Sequence, residues 1–177
     1  MKVVAYGGGT NSTAMLVLMH EQGMQPDRIV FADTGAEKPG TYAHIDVVNG
    51  WCKSVGFPEI DIVRKRGSVY VGETLEQDCL RRNTLPSIAF GFKTCSQKYK
   101  GMPQDIFLNS LPECQEVWKS GDKILKFIGF DADEIRRAKE FVSDKYVVIY
   151  PLISEGWGRE ECVEAIARNG LPQPGKS

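Results

Sequence analysis

The sequence predicts an α/β domain with a mainly parallel five-stranded sheet and helices on both faces. Three observations predict it. Apolar, β-branched runs alternate along the chain with amphipathic stretches. Glycine or proline stops separate them. The 177 residues, 42% hydrophobic and 25% charged, suit one compact domain able to bury a core without staples.

The elements follow in order. Lys2 to Tyr6 reads as a buried first strand, and Thr13 to Gln22 as a helix stopped by Gly23. Arg28 to Ala32 is a second strand. Thr41 to Val55 is a helix with Ile45, Val48 and Trp51 on one side. Ile60 to Val63 is a short third strand, and Ile124 to Phe130 a fourth. Asp133 to Phe141 reads as helical, Tyr146 to Tyr150 as a fifth strand stopped by Pro151, and Arg159 to Arg168 as a last helix. Strands separated by helices imply βαβ units, whose ligands sit at the carboxyl ends of the strands. Residues 67–121 are less regular and are expected to form a lid or insertion within a single domain spanning 1–177.

Composition excludes several classes. A formal net charge of −1 does not advertise a large nucleic-acid or anionic-membrane footprint, although a local basic cluster would. No apolar run approaches the ~20 residues of a membrane span. The start is too short for a signal-peptide core. Five cysteines, an odd number without a Cys-x-x-Cys pair, argue for a reducing compartment, and the expected address is the cytoplasm.

The chemistry concentrates at Gly7-Gly8-Gly9-Thr10-Asn11-Ser12-Thr13, between the first strand and the first helix. Glycines let the backbone turn sharply and bring its amides close to an anion. The helix N-terminus adds its positive end. The Walker A spacing and its Gly-Lys-Ser/Thr ending are absent. Asp33-Thr34-Gly35 closes the second strand at the expected binding edge. Lys93 to Lys100 forms a basic stretch, with Arg81 and Arg82 upstream, that suits a lid over phosphates. His44 and the tryptophans read as minor or packing residues, His20 as structural, and Cys162 as a small packing residue.

The glycine loop resembles the Ser-Gly-Gly-x-Asp-Ser pyrophosphate loop of the adenine nucleotide alpha-hydrolase-like (PP-loop) superfamily. Gly8, Gly9 and Ser12 match. Gly7 stands in place of Ser, Asn11 in place of Asp, and Thr10 where Lys is frequent. Residues Ile29 to Glu37, followed by Thr41-Tyr42, resemble the second strand and Asp-Thr-Gly turn of the phosphoadenosine phosphosulfate (PAPS) reductase-like family. Ile128 to Arg137 resembles that family's Gly-x-Arg-x-x-Glu-Ser-x-x-Arg segment, with Gly129, Glu134 and Arg137 matching and Asp131 in place of the first Arg. Lys98 or Lys100 matches the lysine of its Cys-x-x-x-Lys segment.

The resemblance implies a Rossmann-like three-layer sandwich that binds ATP or a PAPS-type nucleotide. The implied binding residues are Gly7, Gly8, Gly9, Thr10, Asn11, Ser12, Thr13, Asp33, Thr34, Gly35, Lys98, Lys100, Gly129 and Arg137. Lys98 and Arg137 are the catalytic candidates. It implies an enzyme acting on a sulfonucleotide, or adenylating an unknown second substrate with release of pyrophosphate. The alternatives are an inactive nucleotide-binding module or a subunit of a nucleic-acid sulfur-modification complex. Nucleic acid is not favoured as partner, no membrane is expected, and a homo-oligomer is compatible. Mg²⁺ has a place in the chemistry, although Asn11 removes one carboxylate that would hold it. Wider family members carry an iron–sulfur cluster on cysteines near Cys79 and Cys95 and on a downstream Cys-x-x-Cys pair. Only the first two are present here, which counts against a cluster.

Overall fold

A computed structural model describes residues 1–65, 74–85, 97–138 and 142–175. Five strands form one sheet in the order β3-β2-β1-β4-β5. They are β1 (Lys2–Tyr6), β2 (Arg28–Asp33), β3 (Ile60–Arg64), β4 (Ile124–Ile128) and β5 (Tyr146–Ile149). Every pairing is parallel, with Val4 opposite Ile29 and Phe127, the register that places β1 at the centre.

Side-chain alternation along the strands divides the core. Val4, Tyr6, Ile29, Phe31 and Phe127 point to one face. There they meet α1 (Thr10–Glu21), α2 (Pro39–Ser54), α6 (Pro151–Ser154) and α7 (Arg159–Arg168). Val3, Val30, Ile124 and Tyr146 point to the other face. There they meet Leu108 of α4 (Met102–Ser110) and Cys114 of α5 (Pro112–Lys119). A period of two is what a strand buried on both faces requires. The predicted α/β class, strand count and parallel order are therefore observed.

Three differences have physical causes. The first helix begins at Thr10 rather than Thr13, because Gly9 already adopts the extended conformation of an N-cap. The helix expected from Asp133 to Phe141 is a 3-10 helix over Ala132–Arg137, while residues 139–141 lie outside the described ones. The irregular stretch contains α3 (Leu75–Arg81), a π-helical turn at Gln97–Gly101, and α4 and α5, each opened by a proline in its first turn. α4 and α5 cover a sheet face, so this part of the chain forms a structural layer. Among the described residues no helix is long and apolar enough to cross a membrane.

Candidate functional site

The site is built at the carboxyl end of β1. Gly8 has φ +74° and packs so closely that an added Cβ would stand 3.0 Å from the Thr41 methyl. Both facts call for glycine. Gly9 then caps α1. Its N–H donates to Ser12 Oγ at 3.2 Å, and its carbonyl accepts from Ser12 Oγ and Thr13 Oγ1, each at 3.0 Å. The two hydroxyls therefore brace the loop from inside. The first-turn amides of α1, on Thr10, Asn11 and Ser12, have no intrahelical acceptor by helix geometry. That turn holds no acidic residue. This is the arrangement that accepts an anion.

Gly129, after β4, backs the loop. A Cβ there would lie 2.9 Å from the Asn11 carbonyl oxygen and 2.9 Å from Ser12 Cα. Gly129, a binding candidate by its resemblance alone, is brought by the fold against the first turn of α1. The neighbouring carboxylates were not foreseen as partners of the loop. Asn11 Nδ2 donates to Asp131 Oδ2 at 2.8 Å and to Glu134 Oε2 at 3.0 Å. Asn11 Oδ1 is buried without a partner among the described residues. The only sequence signal for this contact was Asp131 in the place of an arginine. Arg137 pairs with Glu134 and lies over the Phe130 ring at 4.4 Å, and Phe130 in turn stacks on Tyr150. Arg137 is thus drawn to Glu134 and to an aromatic face.

The Asp33-Thr34-Gly35 turn docks α3. Asp33, its side chain 1% exposed, accepts from the Gly35 amide at 2.7 Å, Tyr42 Oη at 2.8 Å and Arg64 Nε at 2.7 Å. Burial raises its pKa. The Gly35, Tyr42 and Arg64 hydrogen bonds outweigh that and hold the carboxyl below its ordinary value. Thr34 Oγ1 donates to Glu37 and accepts from the Ala36 amide, while the Leu75 amide donates to the Thr34 carbonyl. Gly35 has φ +68° and no room for a Cβ against Thr74. Lys98 donates to Asp78 at 2.7 Å, and Lys100 pairs with Glu37 at 3.3 Å. Across the sheet, the described cations Arg64, Lys98 and Lys100 lie on the β2–β3 side of the loop. The carboxylates Asp131 and Glu134 lie on the β4 side.

Thr13, fully buried, faces inward. Its Oγ1 stands 3.1 Å from Tyr6 Oη and 3.1 Å from His44 Nε2. Since the single Thr13 proton goes to the Gly9 carbonyl, His44 donates through Nε2, and protonation would occur at Nδ1. Burial lowers the His44 pKa from 6.5. The unfolded chain therefore binds this proton more readily. Stability from neutral His44 is complete above 6.5 and is lost as pH falls toward the depressed folded value. Melting temperature should drop as pH falls below 6.5, and His44→Gln should flatten that segment of the curve. A variant curve parallel to the wild type would show that His44 does not set it.

Three of the four described cysteines are interior. Burial pushes the thiols of Cys52 and Cys162 up to about 12 and that of Cys114 to about 11, the inert state of a packed thiol. Cys79, half-buried in α3, is the described cysteine outside the two cores. Cys95 lies outside the described residues. Among the described residues no group of three or more His, Cys, Asp or Glu is placed to hold a metal ion.

No known family model and no curated protein matches the chain. Among solved structures it is similar to the U34-tRNA thiolase NcsA from Methanococcus maripaludis with its [4Fe-4S] cluster. The TM-score is 0.52 at 15% identity, covering 97% of this chain and 58% of that one. The chain thus spans little more than half the length of this neighbour. The likeness shows a shared α/β fold and does not reach the PAPS reductase-like family. It also corrects one expectation. A missing downstream cysteine pair was held to count against an iron–sulfur cluster, yet a protein of this fold carries one. Cysteine arithmetic on a chain that spans 58% of its neighbour does not exclude a cluster, because ligands need not all lie in the shared part.

Proposed function

We propose that the chain binds an adenine nucleotide at the Gly7–Ser12 loop and activates a second substrate by adenylation, with release of pyrophosphate, in a sulfur-transfer reaction. The observation that carries this reading is the set of first-turn amides of α1 behind the left-handed Gly8 turn, with no acid among them. The name of the structural neighbour, a tRNA thiolase, agrees with sulfur chemistry. The interior thiols Cys52, Cys114 and Cys162 favour adenylation over thiol-driven reduction of a sulfonucleotide by those residues, since each is held in its protonated form.

In this reaction an oxygen of the second substrate bonds to the α-phosphorus as the bond from that phosphorus to the bridging oxygen breaks. The proton of the attacking oxygen passes to water. Negative charge grows on the departing pyrophosphate, and preorganised amides stabilise it without reorientation. Gly9, φ −109°, has nothing within 4 Å of an added Cβ among the described residues, which leaves the phosphate chain room against the backbone. Asp131 and Glu134, gathered by Asn11, are oxygen donors of the kind Mg²⁺ takes, and Mg²⁺ would supply charge neutralisation at the phosphates.

Thermal shift with ATP, PAPS, adenosine 5′-phosphosulfate and GTP tests the reading. Adenine nucleotides should stabilise the chain, by about 2.7 kcal/mol at a hundredfold excess over Kd. Gly9→Ala should leave the unliganded melting point within about 1 kcal/mol of wild type, the cost of a poorer cap, and abolish the ATP response. A response to GTP alone, or an undiminished ATP response in Gly9→Ala, would overturn the assignment. Pyrophosphate release with substrate present separates an enzyme from a nucleotide-binding module that does not turn over.

A further inference from the structure

α1 opens on a glycine, so no N-cap side chain holds its first amides in direction. The Gly9 carbonyl sets that direction instead. In a trans peptide the carbonyl and the next N–H point opposite ways. A Gly9 carbonyl held inward therefore turns the Thr10 N–H outward, toward the proposed phosphate. That carbonyl accepts from the Thr13 amide and from the Ser12 and Thr13 hydroxyls, each at 3.0 Å. All three donors belong to α1. What ties them to neighbouring elements is the far side of the Thr13 hydroxyl.

There Tyr6 of β1 and His44 of α2 each stand 3.1 Å from Thr13 Oγ1, all three residues buried. A hydroxyl has one proton and two lone pairs. With the proton on the Gly9 carbonyl, Tyr6 and His44 fill both lone pairs as donors. Burial raises the Tyr6 pKa, so its phenol keeps the proton it donates. His44 is the member with a choice. As the Nε2–H tautomer it donates, and Thr13 stays turned to Gly9. As the Nδ1–H tautomer its Nε2 would draw the Thr13 proton away, and the Gly9 carbonyl would lose one donor. The same stripe of α2 backs the loop a second time. Thr41, His44 and Ile45 stand at i, i+3 and i+4, the spacing of one helix face. Thr41 Cγ2 and Ile45 Cδ1 lie 3.0 Å and 3.8 Å from a Cβ placed on Gly8. α2 thus packs against the glycine turn and, beside that contact, hydrogen-bonds behind the amides.

We infer that His44 is a positioning residue for the phosphate loop: as the Nε2–H tautomer it holds the Gly9 carbonyl inward through Thr13, and so aims the first-turn amides at the anion. This rests on the nucleotide reading above for the ligand. The loop geometry is tested without one.

Long-range nitrogen–proton correlation spectra of the imidazole read the tautomer directly in the wild-type chain, and Nε2–H is expected. Two variants then separate donor from packing. His44→Gln restores an N–H near the Nε2 position, whereas His44→Leu fills the space without a donor. In titration calorimetry with ATP, His44→Leu should bind about fivefold more weakly, the worth of one neutral hydrogen bond, and His44→Gln should stay within about twofold of wild type. Exchange of the Thr13 amide, which reports its bond to the Gly9 carbonyl, should speed up in His44→Leu and not in His44→Gln. Exchange at Val17, further along α1, should be unchanged in both. Thr13→Val removes the hydroxyl through which His44 acts and should weaken ATP binding at least as much, which covers a His44→Leu chain that does not fold. An Nδ1–H tautomer, or ATP affinity in His44→Leu equal to wild type, would overturn the inference. So would equal losses in His44→Leu and His44→Gln, which would mark packing alone. A wild-type chain that binds no ATP sinks the nucleotide reading, and the tautomer and the Thr13 exchange then decide the positioning by themselves. ATP binding with unchanged Thr13 exchange in His44→Leu sinks this inference alone.

Discussion

Gly129→Ala will lower the melting temperature and remove the response to ATP together. The added methyl carbon would stand 2.9 Å from the Asn11 carbonyl oxygen, 2.9 Å from Ser12 Cα and 3.0 Å from the Asn11 carbonyl carbon. All three are backbone atoms in the first turn of α1, and none can rotate away as a side-chain tip would. Either β4 or the start of α1 must shift. Overpacking of this kind costs about 1–3 kcal/mol, or roughly 2–12 °C for a chain of this size at 2–4 °C per kcal/mol. The displaced amides are those proposed to hold phosphate, so affinity falls with stability. Gly9→Ala provides the contrast, because its methyl meets nothing within 4 Å among the described residues. If Gly129→Ala melts like the wild type and still responds to ATP, the close contact between β4 and the loop does not exist in solution.

That contact shows what the sequence could and could not reveal. The strands were legible because both sheet faces are buried: Val3 and Val4 or Val30 and Phe31 point opposite ways and each meets a helix layer. The glycine loop was legible because three consecutive glycines between a strand and a helix have few other uses. Asn11 bridging to Asp131 and Glu134 was not, because the partners are 120 and 123 positions apart. No local period encodes such a pairing. The Asp78 hub was equally hidden. In the sequence Arg81, Arg82 and Lys98 read as a basic lid over phosphates, and only the approach of α3 to the π-helical turn shows that one buried carboxylate collects them. α4 and α5 were missed for a different reason. Each has a proline in its first turn, which reads as a breaker until the helix start is known. The segment from 133 to 141 read as an α-helix because acids followed by two arginines mimic helix capping by charge. The chain instead closes a 3-10 helix on the Asp131 carboxylate, which accepts from the Glu134 amide at 3.0 Å.

Asp33→Ala will destabilise the chain by about 3 kcal/mol, the lower end of the range for breaking an ion pair with one buried member. The lower end applies because Arg64, 65% exposed, can return to water, whereas the Tyr42 hydroxyl and the Gly35 amide lose an acceptor inside the turn. Asp33→Asn keeps one oxygen for those two donors and loses only the charge, so it should cost less. The pH dependence has a definite sign. The folded carboxyl sits below its ordinary value of 3.8, so its contribution is complete above that value and is lost as pH falls through the folded value. Wild type should therefore lose this margin only in acid, well apart from the His44 window, and Asp33→Ala should show less of the acid slope. The effect should also travel. The same turn receives the Leu75 amide and abuts Thr74 at the start of α3. Hydrogen exchange at Leu75 should accelerate in Asp33→Ala more than exchange at Val30 in the sheet. If the two accelerate equally, the turn does not anchor α3 and the melting loss is global. If only Leu75 accelerates, the Asp33 turn is what holds α3 in position.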